Sequence, residues 1–190
     1  MKALGVDPVH DTRETFRALV DAASRPGTVQ TTPVDPAAHA VVSTLVDHEV
    51  TFCGDEEPVL SALERESRLD EAPFETADVV LVDGHTDGRV TEAKRGTLKE
   101  PSDGATLVYS VETLTDSPAA AADCLELAVS GPGVPGTRTF GVDGLPPEEV
   151  AAIASAQSTY PRGVDVYLAA DDRVAALPRS VDVELDEEVA

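Results

Sequence analysis

Three turns rich in glycine and proline hold arginines in constrained backbone: Ser130-Gly-Pro-Gly-Val-Pro-Gly-Thr-Arg138, Tyr160-Pro-Arg-Gly163 and Leu177-Pro-Arg-Ser180. The chain carries 36 acidic residues and only 14 basic ones, so a cation fixed in a turn is scarce. A guanidinium presents a planar fork of donors that fits phosphate-like oxyanions and carboxylates. Proline fixes the backbone just before Arg162 and Arg179. If the strands beside these two turns are neighbours, their ends bring both guanidiniums together. Gly131, Gly133, Gly136, Arg138, Arg162, Gly163 and Arg179 are therefore the candidates for binding an anion or a partner. The competing use of each arginine is an ion pair with one of the many carboxylates. The competing use of the glycines is a strand connection that needs their backbone freedom.

Gly131-Pro-Gly133-Val-Pro-Gly136 also satisfies the Gly-x-Gly-x-x-Gly pattern of dinucleotide-binding turns. That chemistry needs a helix opening on glycines with free N–H groups. Pro132 and Pro135 remove two donors and Thr137-Arg-Thr-Phe140 continues as strand, which excludes a dinucleotide site. A Gly-x-x-x-x-Gly-Lys-Ser/Thr phosphate loop is absent. Ser130 lacks the context of a nucleophile elbow. Asp47 and Glu49 are close enough for acid–base work, or for a solvated edge. Arg17 and Arg25 flank the first helix, where Arg25 suits the negative helix end. His10, His39, His48 and His85 are scattered, and Cys53 and Cys124 form no Cys-x-x-Cys pair. No metal site and two buried, reduced thiols are the expectation. No catalytic residue is assigned.

The elements that position these turns follow from hydrophobic periodicity. Asp11 to Ala23 reads as an amphipathic helix capped by Asp11, with Phe16, Leu19, Val20 and Ala23 on one inward face and Pro26-Gly27 as its stop. Further helices are expected over 36–46, 58–69 and 146–156, the last opened by Pro146-Pro147 with Glu148-Glu149 at its positive end. Strands are expected over 28–34, 50–53, 79–82, 106–111, 124–129, 164–169, 173–177 and 181–185, and Asp171-Asp172 reads as a hairpin turn. The run Val79-Val-Leu-Val82 suits a strand covered on both faces. Early helix–strand alternation followed by late antiparallel pairs predicts an α/β three-layer sandwich with a mixed sheet. One domain over 1–190 is expected, ending in an acidic tail at about 186–190.

An apolar content of 42% supports a core, and 4% aromatics means that Val, Leu, Ile and Ala must build it. No apolar run approaches the ~20 residues that cross a bilayer, and the first residues lack a signal segment. A cytoplasmic location is expected. The net charge of −22 is spread along the chain, and lysine is reduced to Lys2, Lys94 and Lys99. This favours adaptation to a salt-rich cytoplasm, where the Debye length is ~3 Å at 1 M, over disorder or a surface for cations. Without a basic stripe, nucleic acid is not an expected partner.

Taken with what precedes them, the turns resemble those of the PhnH family, the H subunit of the carbon–phosphorus lyase core complex. The matching segments are Phe16-Arg17-Ala-Leu19 with Ala23-Ser-Arg-Pro26-Gly27, Leu45 to Thr51, Ala77 to Val82, Lys94 to Leu98, Gly104 to Val108, Ser130 to Gly136, Pro161 to Asp165 and Ala176 to Arg179. Ser158-Thr159-Tyr160 and Ser180-Val181 depart from the commonest family residues. The resemblance implies a fold like a reduced pyridoxal-phosphate transferase domain. No cofactor is expected, because only Lys94 and Lys99 lie within the domain, both in a polar stretch without a pocket motif for a Schiff base. It implies core subunits G, I and J as partners and a homodimer in isolation. It further implies a structural or co-catalytic part in joining phosphonate to the ribose triphosphate derived from ATP. Arg162 and Arg179 would then grip a triphosphate or phosphonate group at a shared site. The alternative is a stand-alone anion-binding enzyme acting on nucleotides or phosphoesters through Arg138, Arg162 and Arg179.

Overall fold

A computed structural model describes residues 1–117 and 124–186. The acidic stretch 187–190 and most of the loop expected at 115–122 lie outside the described residues. In chain order the elements are α1 (His10–Ser24), β1 (Gln30–Thr31), α2 (Ala37–Leu45), β2 (Phe52–Cys53), α3 (Glu57–Arg65), β3 (Val79–Asp83), β4 (Thr106–Ser110) and β5 (Thr113–Thr115). They continue with β6 (Leu125–Ser130), β7 (Thr137–Asp143), α4 (Pro147–Gln157), β8 (Asp165–Ala170), β9 (Arg173–Leu177) and β10 (Asp182–Leu185).

A mixed α/β architecture is present, with one correction to the expected layers. The strands divide into two sheets rather than one. The larger has the order β1-β9-β8-β4-β3-β2, with β2, β3, β4 and β8 parallel and β9 and β1 antiparallel at one edge. The smaller, β10-β6-β7-β5, is wholly antiparallel. Alternation explains the division. In β6 and β7 the paired residues Leu127 with Phe140 and Leu125 with Val142 share one face, and Leu127, Phe140 and Val142 are buried. A one-sided apolar face of this kind must be laid against another layer.

Alternation along β3 shows where the layers lie. Val80 and Val82 belong to a core shared with Leu127, Phe140, Val142, Val183 and, from α4, Val150 and Ile153. Val79 and Leu81 belong to a second core with residues of α1, α2 and α3. The large sheet is thus covered by three helices on one face, and by the small sheet with α4 on the other. At the far end of α4, the buried Gln157 Nε2 donates to Val164 O at 3.2 Å and to Leu177 O at 2.8 Å.

Helix α1 is rotated from the expected orientation. Its buried residues are Thr15, Ala18, Leu19 and Ala22, whereas Phe16 and Val20 stand in solvent. It packs against α2, whose buried face offers Ala37, Ala38 and Ala40. Small residues on both helices let the axes approach, and a phenyl ring between them would force them apart. Asp11 does not cap the helix: the N-cap residue is Val9, Asp11 sits in the first turn with its Oδ2 accepting the Asp7 N–H at 2.8 Å, and Asp7 Oδ1 accepts the N–H groups of Val9 (2.9 Å) and His10 (2.7 Å). Helix α3 stops at Arg65, just before Ser67 with its φ of 55°. No helix among the described residues is long and apolar enough to cross a membrane.

Candidate functional site

The hairpin β8–β9 decides the fate of two of the candidate arginines. Its register pairs Val166 with Leu177 and Ala170 with Arg173 around the Asp171-Asp172 turn. Continued one step, it sets Asp165 opposite Pro178, so Arg162 and Arg179 emerge at the same end of the sheet. Arg179 is only 13% exposed and turns inward. Its Nε donates to both Asp165 oxygens (3.2 and 3.1 Å), Nη2 to Oδ2, its backbone N–H to Oδ1 (2.8 Å) and Nη1 to Pro101 O. This is the ion-pair use of the residue. Arg162 is exposed and makes no ion pair among the described residues. Gly104 passes beneath the pair, where an added Cβ would meet Gly163 O at 2.3 Å and Arg179 Nη1 at 2.7 Å. Gly163 is buried, and its N–H donates to Arg95 O at 3.1 Å.

The third turn leans on this corner. A Cβ on Gly131 would lie 3.2 Å from Ser180 O, and one on Gly133, whose φ is +85°, only 2.8 Å from Ser24 O at the end of α1. Gly136 faces open space. Arg138 sits opposite Val129 in the same row of β7 as Phe140 and Val142, so its stem enters the rim between the sheets. It crosses Gly27, and its buried Nη1 has no hydrogen-bond partner. The three turns are contiguous, but their guanidiniums do not converge: one is spent on Asp165, one lies along Gly27 and one faces water. Nearby, Lys94 Nζ bridges Asp78 Oδ1 (2.7 Å) and Asp103 Oδ1 (2.9 Å). Hydrogen bonds to Asp103 and Asp78 raise the Lys94 ammonium pKa. Burial pushes the Asp78 carboxyl up, but the bonds from Lys94 and Thr51 outweigh it and hold the pKa below the usual carboxylate range.

This corner lies where parallel strands begin. Where they finish, a cleft of about 410 Å³ is lined by Cys53, Asp55, Asp83, His85, Asp87 and Arg89 among others. The carboxyl ends of parallel strands are the usual ligand edge of an open α/β sheet. His85 Nδ1 lies 3.1 Å from Asp87 Oδ1, and the Arg89 guanidinium stacks on the Phe74 ring at 4.6 Å. Burial pushes the Cys53 thiol pKa up. Both cysteines are half-buried rather than buried as expected.

The loop bearing His85 and Asp87 is fixed by Glu149 of α4, which is 2% exposed. Its Oε1 accepts from Thr86 Oγ1 (2.5 Å) and Tyr109 Oη (2.8 Å), and its Oε2 from the Gly88 N–H (2.9 Å). Burial, then the Glu149 charge, holds the Tyr109 hydroxyl protonated far above its ordinary range. In the sequence Glu149 stands out only as an acid at the positive end of a helix. The available signal was Tyr109 within the apolar strand 106–111, because a buried phenol requires a hydrogen-bond partner. Asp47 and Glu49 are exposed, and Asp47 Oδ1 accepts the Glu49 N–H at 2.8 Å, a local turn. Among the described residues, no group of three or more His, Cys, Asp or Glu side chains is placed to hold a metal ion.

The family model of PhnH, a bacterial phosphonate metabolism protein, matches residues 5–184. A protein of Stutzerimonas stutzeri named HtxG, described as a C-P lyase subunit, is 31% identical over 176 residues, covering 90% of this chain and 84% of its own. The alpha-D-ribose 1-methylphosphonate 5-triphosphate synthase subunit PhnH of Rhizobium meliloti (strain 1021) is 26% identical over 192 residues, covering 94% of this chain and 92% of its own.

Proposed function

The chain belongs to the PhnH family of bacterial phosphonate metabolism proteins, and from that premise we propose that it is a subunit of a carbon–phosphorus lyase core complex in phosphonate catabolism. The observation that carries this is the family match along residues 5–184, supported by two relatives whose names describe them as subunits. The assembly forms ribose 1-methylphosphonate 5-triphosphate from ATP and a phosphonate. This chain contributes a structural or co-catalytic part, with subunits G, I and J as partners and a homodimer when isolated. It works in the cytoplasm as one domain over residues 1–190, with a fold like a reduced pyridoxal-phosphate transferase domain and no such cofactor.

At the amino end of the sheet, Arg162 is the candidate for contact with a ligand or a subunit. It is exposed beside Tyr160, itself 68% exposed, on a backbone that Gly163 and Arg179 brace from below. Arg138 is a second candidate, with Gly131, Gly133 and Gly136 shaping its turn. Arg179 serves them indirectly, through the position of Gly163. The spread of 36 acidic residues fits a salt-rich cytoplasm.

Purification of the tagged chain from cells that use a phosphonate as their phosphorus source tests this reading. Subunits G, I and J are expected in the eluate, and their absence would overturn it. Turnover of ATP or a phosphonate by the purified chain alone would favour the stand-alone enzyme instead. No turnover is expected.

A further inference from the structure

We propose that the outer face of α1 is the surface by which this chain docks onto another subunit, one that offers an apolar groove rimmed by carboxylates. The proposal rests on the reading of the chain as a subunit and names the surface which that reading requires. Among the described residues, five large hydrophobic side chains are exposed: Val9, Phe16, Val20, Leu98 and Tyr160. Two of the five, Phe16 and Val20, belong to α1, and Val9 is the residue immediately before it. At about 100° per residue, Phe16 and Val20 lie ~40° apart and form a ridge along α1 that Val9 precedes at the helix start. They are 66%, 56% and 48% exposed, and the ring is one of only four phenylalanines in the chain. A scattered exposed apolar residue is ordinary, but an aligned row of them marks an interaction surface.

Charge identifies the kind of partner. Arg13 and Arg17 are exposed along one flank of the ridge. Neither makes an ion pair among the described residues, although acids outnumber bases by 36 to 14. By contrast Arg25, off the ridge, is paired with Asp21 at 2.9 Å. An aromatic ring flanked by two unneutralised guanidiniums has the composition of an interface centre, where Phe and Arg are enriched. A second copy of the chain fits poorly. A two-fold contact sets the same surface against itself, so four guanidiniums would gather around the axis. An acidic rim on a different subunit neutralises them.

The test co-expresses the tagged chain with companion subunits G, I and J and measures the affinity of the purified assembly at 0.1 M and 1 M salt. Phe16→Asp is expected to weaken binding about 30-fold or more, the effect of losing an anchor at an interface centre. The double variant Arg13→Glu, Arg17→Glu should lose more affinity at the lower salt than at the higher, since screening shortens the reach of its charges. Leu98→Asp, exposed but off the ridge, should assemble as the wild type does. Melting curves check folding, and exposed substitutions of this kind are expected to leave the midpoint nearly unchanged. Assembly undiminished in Phe16→Asp, or equal loss in Leu98→Asp, overturns the proposal while leaving the subunit reading intact. A wild-type chain that recruits no companion sinks the subunit reading and this surface with it. Sedimentation of the purified chain supplies the last outcome: a dimer that Phe16→Asp converts to monomer would make a second copy the occupant and overturn the assignment to another subunit.

Discussion

The two ends of the large sheet are built on opposite principles. At its amino end, cations are scarce and mostly consumed: Arg179 by Asp165 and Pro101, Lys94 by Asp78 and Asp103. At its carboxyl end, a cleft gathers Asp55, Asp83 and Asp87 around His85, and the loop that shapes it hangs on one buried carboxylate. The first end is held together by opposite charges near the surface. The second is held by neutral donors around a charge shut away from water. Arginine in a turn therefore signals fastening at least as often as reception, and of the three turn arginines only Arg162 faces solvent without an ion partner among the described residues.

That contrast can be broken at its strongest point first. Glu149→Ala should cost about 3 kcal/mol, read as a fall in the denaturation midpoint, because Tyr109, Thr86 and the Gly88 N–H lose their acceptor together. Asp165→Ala should cost about 2 kcal/mol, below the range for a fully buried pair since Asp165 is 33% exposed. Gly104→Ala, crowded by the backbone of Gly163, should cost roughly 1–3 kcal/mol. Arg162→Ala should change stability by less than about 0.5 kcal/mol yet weaken the assembled complex. A midpoint shift as large as that of Asp165→Ala would erase the distinction between the two Pro-Arg turns.

Acid and base sharpen the comparison with smaller effects. The Asp78 carboxyl has its pKa lowered by folding, so its contribution is present above the unfolded value of about 4 and is lost as pH falls through the folded one. The Lys94 ammonium has its pKa raised, so its contribution is present below about 10.5 and fades as pH climbs through the folded value. Tyr109, raised as well, acts in the same alkaline direction from the other end. Melting curves of Lys94→Met should be less sensitive than wild type below pH 4, while its alkaline loss persists through Tyr109. An unchanged acid response would show that the bridge is not the group responsible.

Much of this was legible in residues taken in order. The hairpin at Asp171-Asp172, the buried run Val79 to Val82 and the helices opened by His10 and Pro147 lie where hydrophobic period and turn chemistry put them. The second sheet was not legible, because strands 125–130 and 182–185 read alike whichever layer they join. The orientation of α1 was missed because periodicity gives a stripe's width, not its contact; the alanines of α2 chose Ala18 and Ala22 over Phe16. The partner of Arg179 was within reach, since counting outward from the hairpin turn sets Asp165 across from Pro178. Glu149 was hidden for a different reason: its donors come from two other segments, brought together only by tertiary packing.

Helix α4 joins these two worlds. Glu149, near where it starts, is anchored at the carboxyl edge and Gln157, where it finishes, takes hold of the backbone beside Gly163. Neither edge can breathe alone without abandoning a polar anchor in a dry interior. Amide exchange at Gly88 and at Leu177 should therefore slow and quicken in step, as parts of one cooperative unit.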